Sequence, residues 1–164
     1  AVLSMLQTEN HDTLDEVMGG IWGARVSPGL EERLLEISHT EDRSLRHNAI
    51  YFGLSTLADK SPAVIERLVE VLADPDPNNH GRALWGLGHG IPEENAHMVA
   101  AAMRRLFENR NASRMRTDAL ELIGRYGDPM EDGPWLETVR DNPDAPESVR
   151  KGATTALERL EQRR

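Results

Sequence analysis

Cysteine is absent from the 164-residue chain, which excludes disulfides, thiolate-bound metals and a cysteine nucleophile. The absence does not choose between a reducing and an oxidising compartment. No stretch of about 18 uncharged apolar residues occurs, so no membrane-spanning helix is expected. Ala1 to Gln7 is too short for the apolar core of a secretory signal, and a cytoplasmic location is expected. Basic residues are in deficit, with 19 Lys and Arg against 28 Asp and Glu, a formal charge of −9. That balance disfavours nucleic-acid binding, because sequence-independent affinity comes from Lys and Arg displacing counterions from phosphates. Arg104, Arg105, Arg110, Arg114 and Arg116 form a local exception, read here as charges that complement a helix end and solvate a corner.

Hydrophobic residues make up 38% and charged residues 29% of the chain, enough apolar content for one folded domain over 1–164. Prolines punctuate it. Pro28, Pro62, Pro92, Pro134 and Pro146 each precede a run with helical apolar spacing, and Ser27 and Ser61 stand where a hydroxyl caps a helix start. Pro75, Pro77, Pro129 and Pro143 fall in Asp- and Asn-rich turns. The spacing predicts helices near 12–25, 28–39, 42–59, 61–73, 78–90, 92–109, 113–127, 133–141 and 146–162. No segment alternates as a strand would.

Aligning the second helix of each pair brings Arg46, His80, Arg116 and Arg150 into register at spacings of 34, 36 and 34. Three residues later come Ala49, Ala83, Ala119 and Ala153, small where helices must approach closely. Four further on, Gly53, Leu87, Ile123 and Leu157 are expected in the core. Ser27-Pro28 and Ser61-Pro62 repeat the period on the first helices, as do Leu34 and Leu68. A pair of short helices cannot bury its apolar face alone, so stacked pairs must supply the core. Repeats are expected over 27–60, 61–91, 92–128 and 129–164, after a degenerate cap over 1–26 that includes Gly19.

This pattern of an Asp-rich turn, an Arg, then Ala and Leu or Gly at fixed offsets resembles HEAT-like repeats, closest to the short bacterial type named after phycobilisome lyases. The resemblance covers about residues 28–162. It implies an all-α, right-handed α-α superhelix of about four helix pairs plus an N-terminal cap helix. His80 departs from the Arg position and the third repeat is two residues longer, which marks these units for specialisation. A tetratricopeptide array shares the period but not the Arg and Ala marks.

The resemblance implies that second helices line the concave face. Residues one, five and nine positions beyond the marker then form an exposed stripe: His47, Tyr51 and Ser55; Trp85 and His89; Thr117, Glu121 and Arg125; Lys151, Thr155 and Arg159. Tyr51 and Trp85 are equivalent in adjacent repeats. Their rings either anchor a partner, as Tyr and Trp do at hot spots, or fill the seam over Gly53, Gly81, Gly86 and Gly88.

Gly86-Leu87-Gly88-His89-Gly90 follows no strand and lacks the Lys-Ser/Thr of a phosphate loop, so it reads as a helix end. His11, His39, His47, His80, His89 and His97 show no paired metal-site spacing, although His47, His89 and Glu121 could converge. No nucleophile elbow or acid–base dyad is visible. The chain is therefore expected to be a non-catalytic scaffold without cofactor or metal. It would hold a protein or peptide with His47, Tyr51, Ser55, Trp85, His89, Glu121 and Arg125. The alternative implied by the resemblance is a small ligand- or chromophore-handling protein, lyase-like or akin to HEAT-like alkylpurine glycosylases, using the same groove. The start at Ala1 and the end on Glu161-Gln162-Arg163-Arg164 are read as a piece or processed product of a longer chain, the polar last helix as the outer face of a terminal repeat, and the apolar Val2, Leu3, Met5 and Leu6 as docking on the cap helix or on a missing neighbour.

Overall fold

The computed structural model describes residues 28–74 and 76–163, together with 13 and 17. The expected cap helix over 12–25, with Gly19, and the apolar Val2, Leu3, Met5 and Leu6 lie outside the described residues. Eight α-helices occur among the described residues: α1 Pro28–Ser38, α2 Arg43–Asn48, α3 Pro62–Ala73, α4 His80–Leu87, α5 Ala96–Glu108, α6 Arg116–Tyr126, α7 Asp132–Asp141 and α8 Glu147–Glu161. No strand is found among them. A π-helical turn, Ala49–Gly53, and a 3-10 turn, Leu54–Thr56, prolong α2. The chain divides into two compact units at Pro92 and Glu93, unit 1 carrying α1 to α4 and unit 2 carrying α5 to α8.

Local chemistry sets the helix starts. Asp42 precedes α2 and its Oδ1 accepts the Leu45 N–H at 3.0 Å, which satisfies one of the unpaired donors of the first turn. Ser61 does the same before α3, accepting from the Val64 N–H at 3.4 Å, with Pro62 at the first helical position. The Ser61 hydroxyl also donates to the Glu31 carboxylate, which ties the start of α3 to α1.

Each helix buries one apolar stripe. Leu30, Leu34 and Ile37 of α1 and Val64, Ile65, Leu68, Val71 and Leu72 of α3 are buried in unit 1. In unit 2 the buried set includes Val99 and Met103 of α5, Leu120 and Ile123 of α6, Leu136 and Val139 of α7, and Val149 and Leu160 of α8. Burial of one such side chain stabilises the fold by about 2 kcal/mol. The marker residues Ala49, Ala83, Ala119 and Ala153 are all fully buried. Leu157, expected in the core, is only half-buried on α8 and borders a shallow hollow with Met130, Pro134 and Leu160.

At three of the four alanines the residue three positions earlier does a repeated job. Arg46 donates to the Thr40 carbonyl at 3.2 Å, the His80 Nε2 hydrogen-bonds the Asp74 carbonyl at 2.8 Å, and Arg116 donates to the Phe107 carbonyl at 3.1 Å. In every case the acceptor lies at or just beyond the end of the preceding helix. The side chain therefore satisfies a carbonyl that the first helix of the pair leaves without an intrahelical partner. His80, which departs from the Arg at this position, performs the same closure as Arg46 and Arg116.

Two helices depart from the sequence expectation. The segment predicted as one helix over 42–59 widens at Ala49–Gly53 and tightens at Leu54–Thr56, with Gly53 at φ −88° and ψ −96° between them. The carbonyls exposed by this change find side-chain donors: Arg82 Nε bonds Tyr51 O at 2.8 Å, and Thr56 Oγ1 bonds Phe52 O at 2.7 Å. The helix predicted over 78–90 is α-helical only from His80 to Leu87, because Gly88 caps it and Gly90 takes φ +62°. No helix among the described residues is long and apolar enough to cross a membrane.

Candidate functional site

Tyr51 stands in the π turn after α2, and Trp85 stands on α4. Each has a histidine one turn away in sequence, His47 before Tyr51 and His89 after Trp85, a separation that places two side chains on one helical face. The His47 and Tyr51 rings stack at a centroid distance of 5.3 Å and an interplanar angle of 29°, and Phe52 meets Tyr51 edge-on at 4.8 Å. Trp85 and His89 stack at 4.4 Å and 23°. Arg82 joins the two pairs. Its guanidinium carbon lies 4.7 Å from the Tyr51 ring centre and 4.1 Å from that of Trp85, where a cation is attracted to the ring faces.

The result is a contiguous run of flat groups in the order His47, Tyr51, Arg82, Trp85, His89. Hydrogen bonds fix its members. Arg82 Nε is held by Tyr51 O, and His89 Nδ1 lies 2.7 Å from Trp85 O. A carbonyl only accepts, so this ring nitrogen carries the proton. Trp85 is 38% exposed, and among the described residues only it and Met130 are large hydrophobics exposed to this degree. His47 and His89 do not converge, since Tyr51, Arg82 and Trp85 intervene along the run.

Ser55, expected beside these residues on the exposed stripe, is fully buried. Counting at 3.6 residues per turn fails across the π and 3-10 turns, which rotate Ser55 inward. There it packs on Gly86, where an added Cβ would come within 2.8 Å of the Ser55 Cα. The seam beside Gly86 is thus closed by the Ser55 backbone.

Beneath the run lies Lys60, fully buried. Its ammonium donates to Leu57 O at 2.6 Å and to His89 O at 2.7 Å, and its backbone N–H donates to Gly90 O at 2.9 Å. Burial, aided by the charge of Arg82, pushes its pKa down to about 8. A buried amine with these partners is shielded from any substrate. At the N-terminal ends of α2 and α4, a hollow of about 540 Å³ is lined by His47, Arg43, Arg46, Asp74, Asp76 and Asn79 among others. The Asn78 N–H, and then Arg43 at 3.0 Å, hold the Asp76 carboxyl below the usual carboxylate range.

The remaining expected site residues belong to unit 2. Glu121 and Arg125 are exposed on α6. Glu121 pairs with Arg159 of α8 at 3.3 Å, and the Arg125 carbonyl accepts from Arg163 at 2.6 Å. Burial, and then the charge of Glu121, raises the carboxyl pKa of Asp118.

Sequence reasoning missed a second network in this unit. Arg116 lies over Phe107 at 5.3 Å, Phe107 meets Trp135 edge-on at 5.2 Å, and Arg104 lies over Trp135 at 5.2 Å. Arg104 also pairs at 3.3 Å with Asp132, which is buried and accepts the Asp128 N–H at 2.8 Å. Two members of the arginine segment are therefore tied down within the fold. An open cleft of about 580 Å³ borders Arg104, Arg105, Tyr126, Asp132 and Arg163. The spacing of Arg104 and Trp135, about one repeat apart in sequence, is the signal that would have found this network. No group of three or more His, Cys, Asp or Glu side chains is placed to hold a metal ion among the described residues.

No protein-family model and no curated protein matches the chain in sequence. Solved structures do match in fold. The designed armadillo repeat protein YIII(Dq)4CqI is similar with a TM-score of 0.53 at 15% identity, over 97% of this chain and 80% of that one. The designed armadillo repeat protein YIII(Dq.V1)4CPAF, in complex with peptide (KR)4, is similar with a TM-score of 0.54 at 14% identity, over the same shares. With the all-helical architecture, the likeness defines the class: an α-solenoid of helical repeats.

Proposed function

We propose that the chain is a non-catalytic repeat scaffold that holds a peptide or an extended protein segment against unit 1, with Tyr51 and Trp85 as anchors. One observation carries this reading: a partly exposed tryptophan is held in orientation by the Arg82 guanidinium over its ring and by the stacked His89 ring. A rigid aromatic face loses little conformational entropy when a partner docks, which is the property of a binding hot spot. The peptide in one structural neighbour's complex supports the same mode of use. Within the solenoid class we assign the chain to the two-helix, HEAT-like type on the Arg and Ala marks of its second helices, since the period of about 34 residues is shared with tetratricopeptide arrays.

Panning a random peptide library against the immobilised chain tests the proposal, with the Tyr51→Ala/Trp85→Ala double variant as the comparison. Peptides with a shared sequence pattern that bind the native chain and not the folded double variant are expected. No enrichment, or equal capture by both chains, overturns the reading. A second use of the same surface is to hold a flat small molecule against the exposed His89 ring that stacks on Trp85; native mass spectrometry of the freshly purified chain would show such a ligand as an added mass.

A further inference from the structure

A buried lysine is costly, because removing an ammonium from water is compensated only when the protein supplies acceptors. Lys60 has them, and their identity is informative. Leu57 O lies just after the helical segment of the first repeat, and His89 O lies just after that of the second. One ammonium thus joins the ends of two second helices, reaching a carbonyl 29 residues further along the chain. Gly90 completes the arrangement: at φ +62° it returns its carbonyl to the Lys60 N–H, and a Cβ there would come within 2.6 Å of Leu57 O and 3.2 Å of Lys60 Nζ. The space for the ammonium is therefore reserved by a residue without a side chain.

The carbonyl that Lys60 grips belongs to His89, whose ring stacks on Trp85 and hydrogen-bonds the Trp85 carbonyl. We propose that Lys60 is the positioning residue of the ring run: by tying Leu57 O to His89 O, its ammonium fixes where His89, and through it the Trp85 ring, stands. The assignment rests on reading that run as the binding face, but the placement of the ring is measurable without any partner. Lys60 touches no ligand; it acts through His89.

The absence of cysteine allows a direct test. Lys60→Cys, alkylated in denaturant and refolded, carries either an aminoethyl group, which restores an ammonium at the same reach, or an ethyl group, which restores only the bulk. Fluorotryptophan labelling reports Trp85 separately from Trp22 and Trp135 by fluorine NMR, with Trp85→Phe giving the assignment. The expected result is a Trp85 resonance displaced or broadened in the ethyl form and native in the aminoethyl form, with Trp135 unmoved in both. A peptide selected on the native chain should bind the ethyl form about tenfold more weakly.

A native Trp85 resonance in the neutral form overturns the proposal, whatever its melting temperature, and shows Lys60 to be a stabiliser only. A resonance displaced equally in both forms overturns it too. Should the neutral form not refold, Gly90→Ala keeps the lysine but crowds its head group, and must displace the Trp85 resonance in the same way. Failure of peptide selection alone, with the spectra as expected, would sink the binding-face reading and leave the positioning intact.

Discussion

Arg82 and Tyr51 are bound twice: the Arg82 Nε donates to the Tyr51 carbonyl at 2.8 Å while the guanidinium lies 4.7 Å from the centre of the Tyr51 ring. The backbone bond exists because the π turn frees that carbonyl from its helical ladder. The planar guanidinium then reaches Trp85 at 4.1 Å as well. Arg82→Ala should lower stability by about 2 kcal/mol through loss of a charged donor and two ring contacts. Arg82→Lys should recover only a minor part, since an ammonium cannot lie flat between two rings while donating sideways. Urea unfolding of the three chains checks both statements; a full rescue by lysine would show that charge alone matters.

His80, Arg46 and Arg116 serve one purpose, the closing of a carbonyl at the end of the preceding helix. His80→Arg should therefore change stability by less than about 0.5 kcal/mol, whereas His80→Ala should cost about 1 kcal/mol. Thermal melts of the two variants beside the native chain decide it. A large loss with arginine would mean that the imidazole has a task the arginines lack.

Ala119 is fully buried, as are its three counterparts. Ala119→Arg should cost about 3 kcal/mol or more, because it overpacks a helix contact and buries a charge. Thr117, two residues earlier on α6, is exposed; Thr117→Arg should stay within about 0.5 kcal/mol of the native chain. Calorimetry on the pair tests the register, and equal melting of both variants would remove it.

Lys60 makes stability depend on pH in a defined direction. Its pKa falls from the ordinary 10.5 to about 8 in the folded chain, through burial first and Arg82 second. Between those two values the unfolded chain holds the proton more tightly, so Lys60's contribution rises with pH across that window and is flat below it. The stability of the native chain relative to Lys60→Met should accordingly increase from pH 8 to 10.5. Urea midpoints measured at intervals through the window check the sign; a difference that falls or stays level contradicts the burial of a charged amine.

The helix starts and the burial of the periodic alanines were legible because capping and close packing are local and periodic. Ser61 before Pro62 announces α3, and the alanine period of the second helices marks residues that prove fully buried. Ser55 was misplaced because a helix that widens and then tightens does not keep a period of 3.6. Arg82 and Lys60 were passed over for a different reason. Arg82 lies outside the counted stripe, and Lys60 sits in a connection next to Asp59 at φ +52°, where no periodicity applies. What joined Tyr51 to Trp85 was a long-range hydrogen bond and a shared cation. A pattern search confined to one helix at a time has no access to either.

The marker bonds reach back only six, six and nine residues, from Arg46 to Thr40, from His80 to Asp74 and from Arg116 to Phe107. Each closes a short loop of its own, so its entropic toll is small and independent of what the rest of the chain is doing. Helical hairpins of this kind can form early and at several places along the chain, as in other quasi-one-dimensional arrays. The ties from Lys60 to His89 and from Arg82 to Tyr51, spanning 29 and 31 residues, must wait for two hairpins to meet. The ring run thus depends on two hairpins being in place together, and partial unfolding of α4 would take it away while leaving the marker bond from Arg46 to Thr40 closed.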